Sequence, residues 1–355
     1  MLLPQPTMLN QVTLKPSGHV FAVRGDETIL DAALREGFVI SYGCRNGACG
    51  TCKGKLLEGT VDYGTYQETA LTDAEKRLGM ALFCQARPRG DIVIECREID
   101  AAKDVPIRTL PCRVQKMQRL AAGIMLLHLK LPASERLQFL AGQYLDILLK
   151  NGTRRSFSMA NAPHEDEFLQ LHVRNYGGPF SMHVFTRMKE RDILRFEGPL
   201  GTFFLREDGD KPIILLASGT GFAPIKAIVE HAFHTRDPRS FVLYWGARVR
   251  ADLYLDELPA RWAREHNNFR YVPVLSEPLP GDNWGGRTGL VHQAVAHDIP
   301  DMSGCQVYAC GVPAMVEAAH REFTSRCELP EEEFFSDAFT PATPSAQTSK
   351  SVRLP

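Results

Sequence analysis

Cys44, Cys49 and Cys52 stand in a C-x4-C-x2-C run, and Cys84 follows after 31 intervening residues. Three thiolates from one tight loop and a fourth from a separate segment form the spacing that encloses a [2Fe–2S] cluster, which takes up and releases one electron at a time. Gly43, Gly47 and Gly50 permit the loop to curl and bring backbone N–H groups close to the sulfurs. Four thiolates would also hold a structural zinc ion. Zinc sites, however, usually pair one C-x2-C with a second short pair, and no second pair is present. Cys96, Cys112, Cys305 and Cys327 share no ligand spacing and read as packing residues; the eleven histidines read as surface or capping residues.

A second chemistry is legible in Gly219-Thr220-Gly221-Phe222-Ala223-Pro224, between the apolar run Ile213–Leu216 and a helical stretch reaching His231. Where a strand turns into a helix, free N–H groups and the positive dipole end receive a pyrophosphate, and the glycines let it approach the backbone. Pro224 suits the first helical turn, where its missing N–H costs little. A purely structural turn would use the same residues, so the phosphate reading rests on the strand–turn–helix placement.

The elements that must position these groups fall into three modules. Residues 9–99 begin with a hairpin in which Val12 and Leu14, then Val20 and Ala22, alternate around a turn at Pro16-Ser17-Gly18. Glu27–Leu34 has helical spacing and Ile92–Ile94 reads as a closing strand, an α+β pattern that suits a small β-grasp domain around the cluster. Charged residues 97–110, with Pro106, read as a linker. Residues 108–206 carry short apolar runs, Ile124–Leu131, Tyr144–Leu149, Phe168–Val173 and Ile193–Phe196, as expected of an antiparallel β-barrel. In residues 211–340 strand-like runs at Phe241–Trp245, Tyr271–Leu275 and Gln306–Ala309 alternate with helical segments, the last marked by Met315, Val316, Ala319 and Phe323. That alternation predicts an α/β, doubly wound parallel sheet. Residues 341–355 are small, polar and proline-bearing, the composition of a disordered tail, and residues 1–8 lack a pattern.

Composition narrows the function. With 44% hydrophobic and 23% charged residues and a formal net charge of −1, nothing favours nucleic-acid binding or a basic membrane face. No apolar stretch approaches the roughly 20 residues that span a bilayer, and the first residues lack the pattern of a signal peptide. Nine cysteines, four of them with a ligand role, fit a reducing cytoplasm better than a disulfide framework.

Arg155-Ser156-Phe157-Ser158-Met159-Ala160-Asn161 resembles the flavin motif R-x-[YF]-S-x-x-N of the ferredoxin–NADP reductase superfamily. The resemblance implies that Arg155 holds the FAD pyrophosphate, Phe157 lies against the isoalloxazine and Ser158 hydrogen-bonds near its N5. Gly177-Gly178-Pro179-Phe180-Ser181 is similar to the family's G-G-x-x-[ST] turn, which places Gly177, Gly178 and Ser181 at the FAD phosphates. Gly219, Thr220, Gly221 and Pro224 correspond to its nucleotide loop. Cys310-Gly311-Val312-Pro313 is similar to the C-G-x-P stretch beside the nicotinamide, where Cys310 and Gly311 flank the reacting ring. Gly142-Gln143-Tyr144 and Gly198-Pro199-Leu200-Gly201-x-Phe203 resemble the family as fold signatures. Phe334–Phe339 resembles the terminal segment whose aromatic, here Phe339, covers the flavin; a plain edge strand is an equal reading.

NADP-specific relatives carry an arginine where this chain has Glu277 after Ser276. A carboxylate repels a 2′-phosphate and accepts hydrogen bonds from a ribose diol, so NADH is expected over NADPH, although Arg248 and Arg250 lie near the preceding strand end. The order of modules resembles the N-terminal-ferredoxin class of flavin reductases. Leu137–Tyr144, Arg154–Pro163, Phe196–Leu205 and Phe334–Phe339 look most like bacterial CDP-6-deoxy-3,4-glucoseen reductases, with oxygenase reductase components sharing the layout. The implied function is electron transfer from NADH through FAD and the [2Fe–2S] cluster to a protein partner, a dehydratase or an oxygenase component, with Ser158 and Cys310 as the hydride-transfer residues. A redox sensor using the cluster as a switch is the alternative outside catalysis.

Overall fold

A computed structural model describes residues 9–340; the expectations for residues 1–8 and for a tail at 341–355 lie outside the described residues. Alternating burial builds the first unit. β1 (Leu9–Lys15) and β2 (Val20–Arg24) form the expected hairpin, burying Val12, Leu14, Phe21 and Val23 on one face. α1 (Ile29–Arg35) starts two residues later than its spacing predicts. Thr28 caps it, its hydroxyl accepting from the Asp31 N–H at 3.1 Å. β3 (Lys53–Glu58), β4 (Val61–Asp62), α2 (Asp73–Arg77), β5 (Met80–Leu82), β6 (Arg87–Pro88) and β7 (Ile92–Glu95) complete it. The main sheet runs β2-β1-β7-β3-β5, with β1 and β7 parallel, and α1 packs Ile29, Leu30 and Ala33 against it.

The middle unit is an antiparallel sheet of β8 (Arg108–Ala121), β9 (Ile124–Lys130), β10 (Tyr144–Leu148), β11 (Arg154–Ser158), β12 (Leu169–Arg174) and β13 (Ile193–Leu200), with α3 (Pro179–Thr186) before β13. Its order is β11-β10-β13-β8-β9-β12, and a bridge between Met159 and Leu171 brings the two edges together into a barrel. β8 is longer than any run the sequence suggested. Only Leu110, Cys112 and Val114 of it are buried; Pro111 and Arg113 separate them, and the largely exposed, polar run from Gln115 to Arg119 hides the rest of the strand.

The segment read as a linker is built into the structure. Ile99 donates from its N–H to the Val39 carbonyl at 2.8 Å, Ile40 bridges Glu98, and Ile99 and Ala102 bury themselves against Phe204 of the barrel. Two apolar side chains among the charges suffice to fasten the crossing.

The third unit contains β14 (Ile213–Ser218), α4 (Phe222–Thr235), β15 (Phe241–Ala247), α5 (Glu257–Glu265), β16 (Phe269–Leu275), β17 (Arg287–Thr288), α6 (Val291–Asp298), β18 (Gln306–Gly311), α7 (Pro313–Arg326) and β19 (Phe334–Ala338). Its sheet is wholly parallel, in the order β17-β16-β15-β14-β18-β19. Helices cover both faces, so the central strand β14 is a continuous apolar run. Leu215 and Ala217 meet Ile225 and Ile228 of α4, while Ile214 and Leu216 meet Val295, Val316 and Phe323 of α6 and α7.

The barrel and the third unit share core. Ile124, Ala141 and Phe203 belong to the α4 side of that core, and Gly142, at φ 109, permits the close approach of Ile228. Lys226 of α4 is buried yet paired, donating to the Ala160 carbonyl at 3.0 Å and to Glu230 at 2.6 Å. His172 corrects the reading of the histidines as surface or capping residues. It points from β12 into this interface and hydrogen-bonds the Tyr254 hydroxyl at 2.9 Å. Burial pushes its imidazole down from 6.5 to about 3, so the ring is neutral. A depressed histidine supports the fold above its unfolded value and withdraws that support as pH falls from 6.5 towards 3. Chemical denaturation should therefore find the protein losing stability below pH 6.5, and His172→Gln, which keeps a partner for Tyr254 without the charge, should flatten that loss.

Candidate functional site

The cluster loop closes as two thiol pairs. Cys44 and Cys49 are within hydrogen-bonding reach of each other, and so are Cys52 and Cys84. Among the described residues no group of three or more His, Cys, Asp or Glu side chains is disposed around one metal ion. Two thiol pairs, three of the four cysteines from one loop, fit the cage of a [2Fe–2S] cluster. The thiol of Cys49, followed by the N–H groups of Asn46, Ala48 and Cys49, holds Cys44 below the ordinary thiol value. Cys52 and the N–H of Gly47 act similarly on Cys84. Gly47 lies at φ 75 with its missing Cβ 2.8 Å from the Thr65 carbonyl, so only glycine fits.

At the seam between barrel and third unit, β11 presents Arg155, Phe157 and Ser158. Arg155 has no carboxylate partner among the described residues, which leaves its guanidinium for an anion. Phe157 packs at 5.3 Å from Phe180. Gly177, at φ 76, and Gly178 lead into α3, whose start at Pro179 carries no side-chain cap; the Ser181 hydroxyl donates to the Gly178 carbonyl at 3.0 Å. An unpaired arginine and an open helix start fit a diphosphate, and Phe157 offers a ring to an isoalloxazine.

Ser158 is buried and its hydroxyl lies 3.4 Å from a carboxylate oxygen of Asp337. Asp337 pairs in register with Cys310, whose thiol is fully buried and pushed well up by desolvation. Burial, then the nearby Cys44, raises the Asp337 carboxyl to about 7. Asp337 lies within Phe334–Phe339, where an acidic residue close to two phenylalanines is its one signal in the sequence. Phe339 follows the end of the edge strand β19, donates from its N–H to Gly311 at 2.8 Å and is half-buried. The edge strand and the aromatic are thus both present.

The nucleotide loops interlock. Gly219–Gly221 form a short 3-10 turn before α4, where Pro224 occupies the first turn. A Cβ at Gly221 would lie 2.1 Å from the Cys310 carbonyl, and one at Gly311 would lie 2.2 Å from the Ser218 hydroxyl oxygen. The Ser218 hydroxyl accepts from the Val312 N–H at 3.0 Å, and Trp245 steadies the turn by donating to the Gly219 carbonyl at 3.1 Å. Thr220 is buried, whereas Glu277 is exposed with its N–H bonded to Arg248. Arg250 donates to the Asp282 carbonyl at 3.2 Å. Arg174, absent from the sequence reading, reaches from β12 to within 3.0 Å of the position of a Gly219 Cβ while pairing with Asp252 at 2.9 Å.

Comparison with known proteins agrees with this layout. Three family profiles match: a 2Fe-2S iron-sulfur cluster binding domain over residues 12–89, an oxidoreductase FAD-binding domain over 111–205 and an oxidoreductase NAD-binding domain over 215–321. The chain belongs to the ferredoxin–NADP reductase superfamily, in the class with an N-terminal ferredoxin domain. It is 43% identical over 334 residues, covering 93% of itself and 98% of the relative, to the CDP-6-deoxy-L-threo-D-glycero-4-hexulose-3-dehydrase reductase of Yersinia pestis. It is 35% identical to the reductase component of a Pseudomonas phenol 2-monooxygenase, over 97% of this chain and 99% of that one. The crystal structure of an Amycolatopsis cytochrome P450 reductase superposes with a TM-score of 0.77 at 36% identity, covering 94% of this chain and all of that chain. The protein is an iron–sulfur flavoprotein reductase whose cofactors are a [2Fe–2S] cluster, FAD and a nicotinamide coenzyme.

Arg174 places a guanidinium at the Gly219 turn. Arg174→Gln should raise the KM for the coenzyme about tenfold with kcat little changed, measured in steady-state turnover.

Proposed function

We propose that this reductase draws electrons from NADH and delivers them to a dehydratase acting on a nucleotide-linked 4-hexulose. The 43% identity over nearly the whole chain to a hexulose-3-dehydrase reductase carries the choice of partner. Oxygenase components are the second reading, supported by relatives such as the phenol 2-monooxygenase reductase.

When bound, the nicotinamide, flavin and cluster together turn a two-electron hydride into single electrons. The chain supplies orientation. Arg155, Gly177, Gly178 and Ser181 would hold the FAD diphosphate, and Phe157 and Phe339 would bracket its ring. Ser158 would orient the reacting edge, with Asp337 as a carboxyl that can hold or release a proton near pH 7. Cys310, kept neutral by burial, would sit beside the nicotinamide with Gly311. Gly219, Thr220, Gly221 and Pro224 would receive the coenzyme phosphates. Cys44, Cys49, Cys52 and Cys84 would ligate the cluster. Among the described residues no helix is long and apolar enough to cross a membrane. All nine cysteines are unpaired, which supports a reducing, cytoplasmic setting.

Reconstitution with iron, sulfide and FAD should give NADH-driven reduction of cytochrome c, and NADH consumption should accelerate with a CDP-hexulose 3-dehydrase and its sugar substrate. Acceleration by an oxygenase component alone would assign the second reading. Failure to reduce any one-electron acceptor would reject both and leave the redox sensor. Glu277 supports NADH: kcat/KM should favour NADH over NADPH, and a clear NADPH advantage would reverse that assignment.

A further inference from the structure

The barrel grips the cluster loop on both sides of Cys44. The Tyr144 hydroxyl donates to the Gly43 carbonyl at 2.7 Å. Tyr42 exchanges backbone and side-chain hydrogen bonds with Thr202 at 3.0 and 3.1 Å. Arg45, held in the left-handed region at φ 58, pairs with Glu197 of the barrel at 3.2 Å and with Asp31 at 3.1 Å. The first of these contacts comes from a deeply enclosed barrel side chain. Tyr144 is 5% exposed, and with Leu200 it is packed into the core of the first unit. A Cβ at Gly201, at φ 88, would lie 2.8 Å from two carbons of the Tyr144 ring, so a glycine is required to form its slot. On the other side, Tyr144 is the register partner of Ser158 across β10 and β11. One residue therefore touches the backbone next to the first cluster ligand and lies beside the strand residue assigned to the flavin.

We propose that Tyr144 is a positioning residue for electron transfer: its hydroxyl, bonded to the Gly43 carbonyl, holds the Cys44 end of the cluster loop at a fixed distance from the flavin-bearing strand. This rests on the reading of Ser158 and Cys44 as flavin and cluster contacts. With the cofactors bound, each passage would carry one electron and no atom to the four-cysteine site, and the second electron of a hydride would follow once the protein acceptor had taken the first. A hydrogen bond sealed in a dry interface is strong and directional. It removes loop motion that would otherwise vary the separation.

Tyr144→Phe deletes the hydroxyl and keeps the ring in its slot. In the reconstituted holoprotein, stopped flow with NADH should find flavin bleaching unchanged within about twofold and cluster reduction slowed roughly tenfold. Independently of turnover, hydrogen–deuterium exchange of the cofactor-loaded variant should accelerate about fivefold in the peptide spanning residues 42–46, with protection of α4 and β14 unaltered. Unchanged cluster reduction overturns the proposal, whatever the exchange. A uniform loss of protection across all three units assigns the hydroxyl to general stability and also overturns it. Wild-type protein whose flavin NADH does not bleach refutes the functional reading instead, so the two failures are distinguishable.

Discussion

The hydrogen bonds that flank Cys44 fix the cluster loop against the barrel. Tyr42, Gly43 and Arg45 each engage a barrel residue, namely Thr202, Tyr144 and Glu197. The bonds of Tyr42 and Gly43 are buried, where leaving a group unpaired would be costly, and the Arg45–Glu197 pair is part-buried. The cluster loop is therefore seated in one orientation against the barrel. The anchored crossing at Ile99 and Ala102 reinforces the same placement.

The other seam follows a different logic. The third unit reaches the barrel through the carboxyl ends of its parallel strands, where open α/β sheets place their ligand crevice. Here the glycines act by subtraction: Gly221 lets the Cys310 carbonyl pass, and Gly311 makes room for the Ser218 hydroxyl. Two loops that would otherwise collide instead share a hydrogen bond between Ser218 and Val312. Buried Lys226 and neutral His172 then fix the third unit on the barrel, each with a polar partner in place. Between the two seams lie Ser158, Cys310 and Asp337.

The domain order was legible, and candidate cofactor residues could be named, because their signals are local. Ligand loops, phosphate turns and buried strand runs are short segments whose chemistry depends on near neighbours in the chain. The Cys44–Cys52 run, the Gly219 turn and the apolar stretch Ile213–Leu216 are of this kind. The pattern failed where its period was masked, as in β8, whose three buried positions are separated by Pro111 and Arg113 and followed by a largely exposed, polar run.

Sequence alone determined which side chains were available for electron transfer, since ligand type and spacing are covalent properties. Tertiary structure alone decided which of them meet. Ser158 and Asp337 are 179 residues apart in the chain, Gly43 and Tyr144 are 101 apart, and no local periodicity encodes either approach. His172 illustrates the same divide. In the sequence it reads as a surface or capping residue, and burial against Tyr254, contributed by another unit, sets its charge instead. Packing between distant segments controls solvation, and solvation controls which polar groups carry charge.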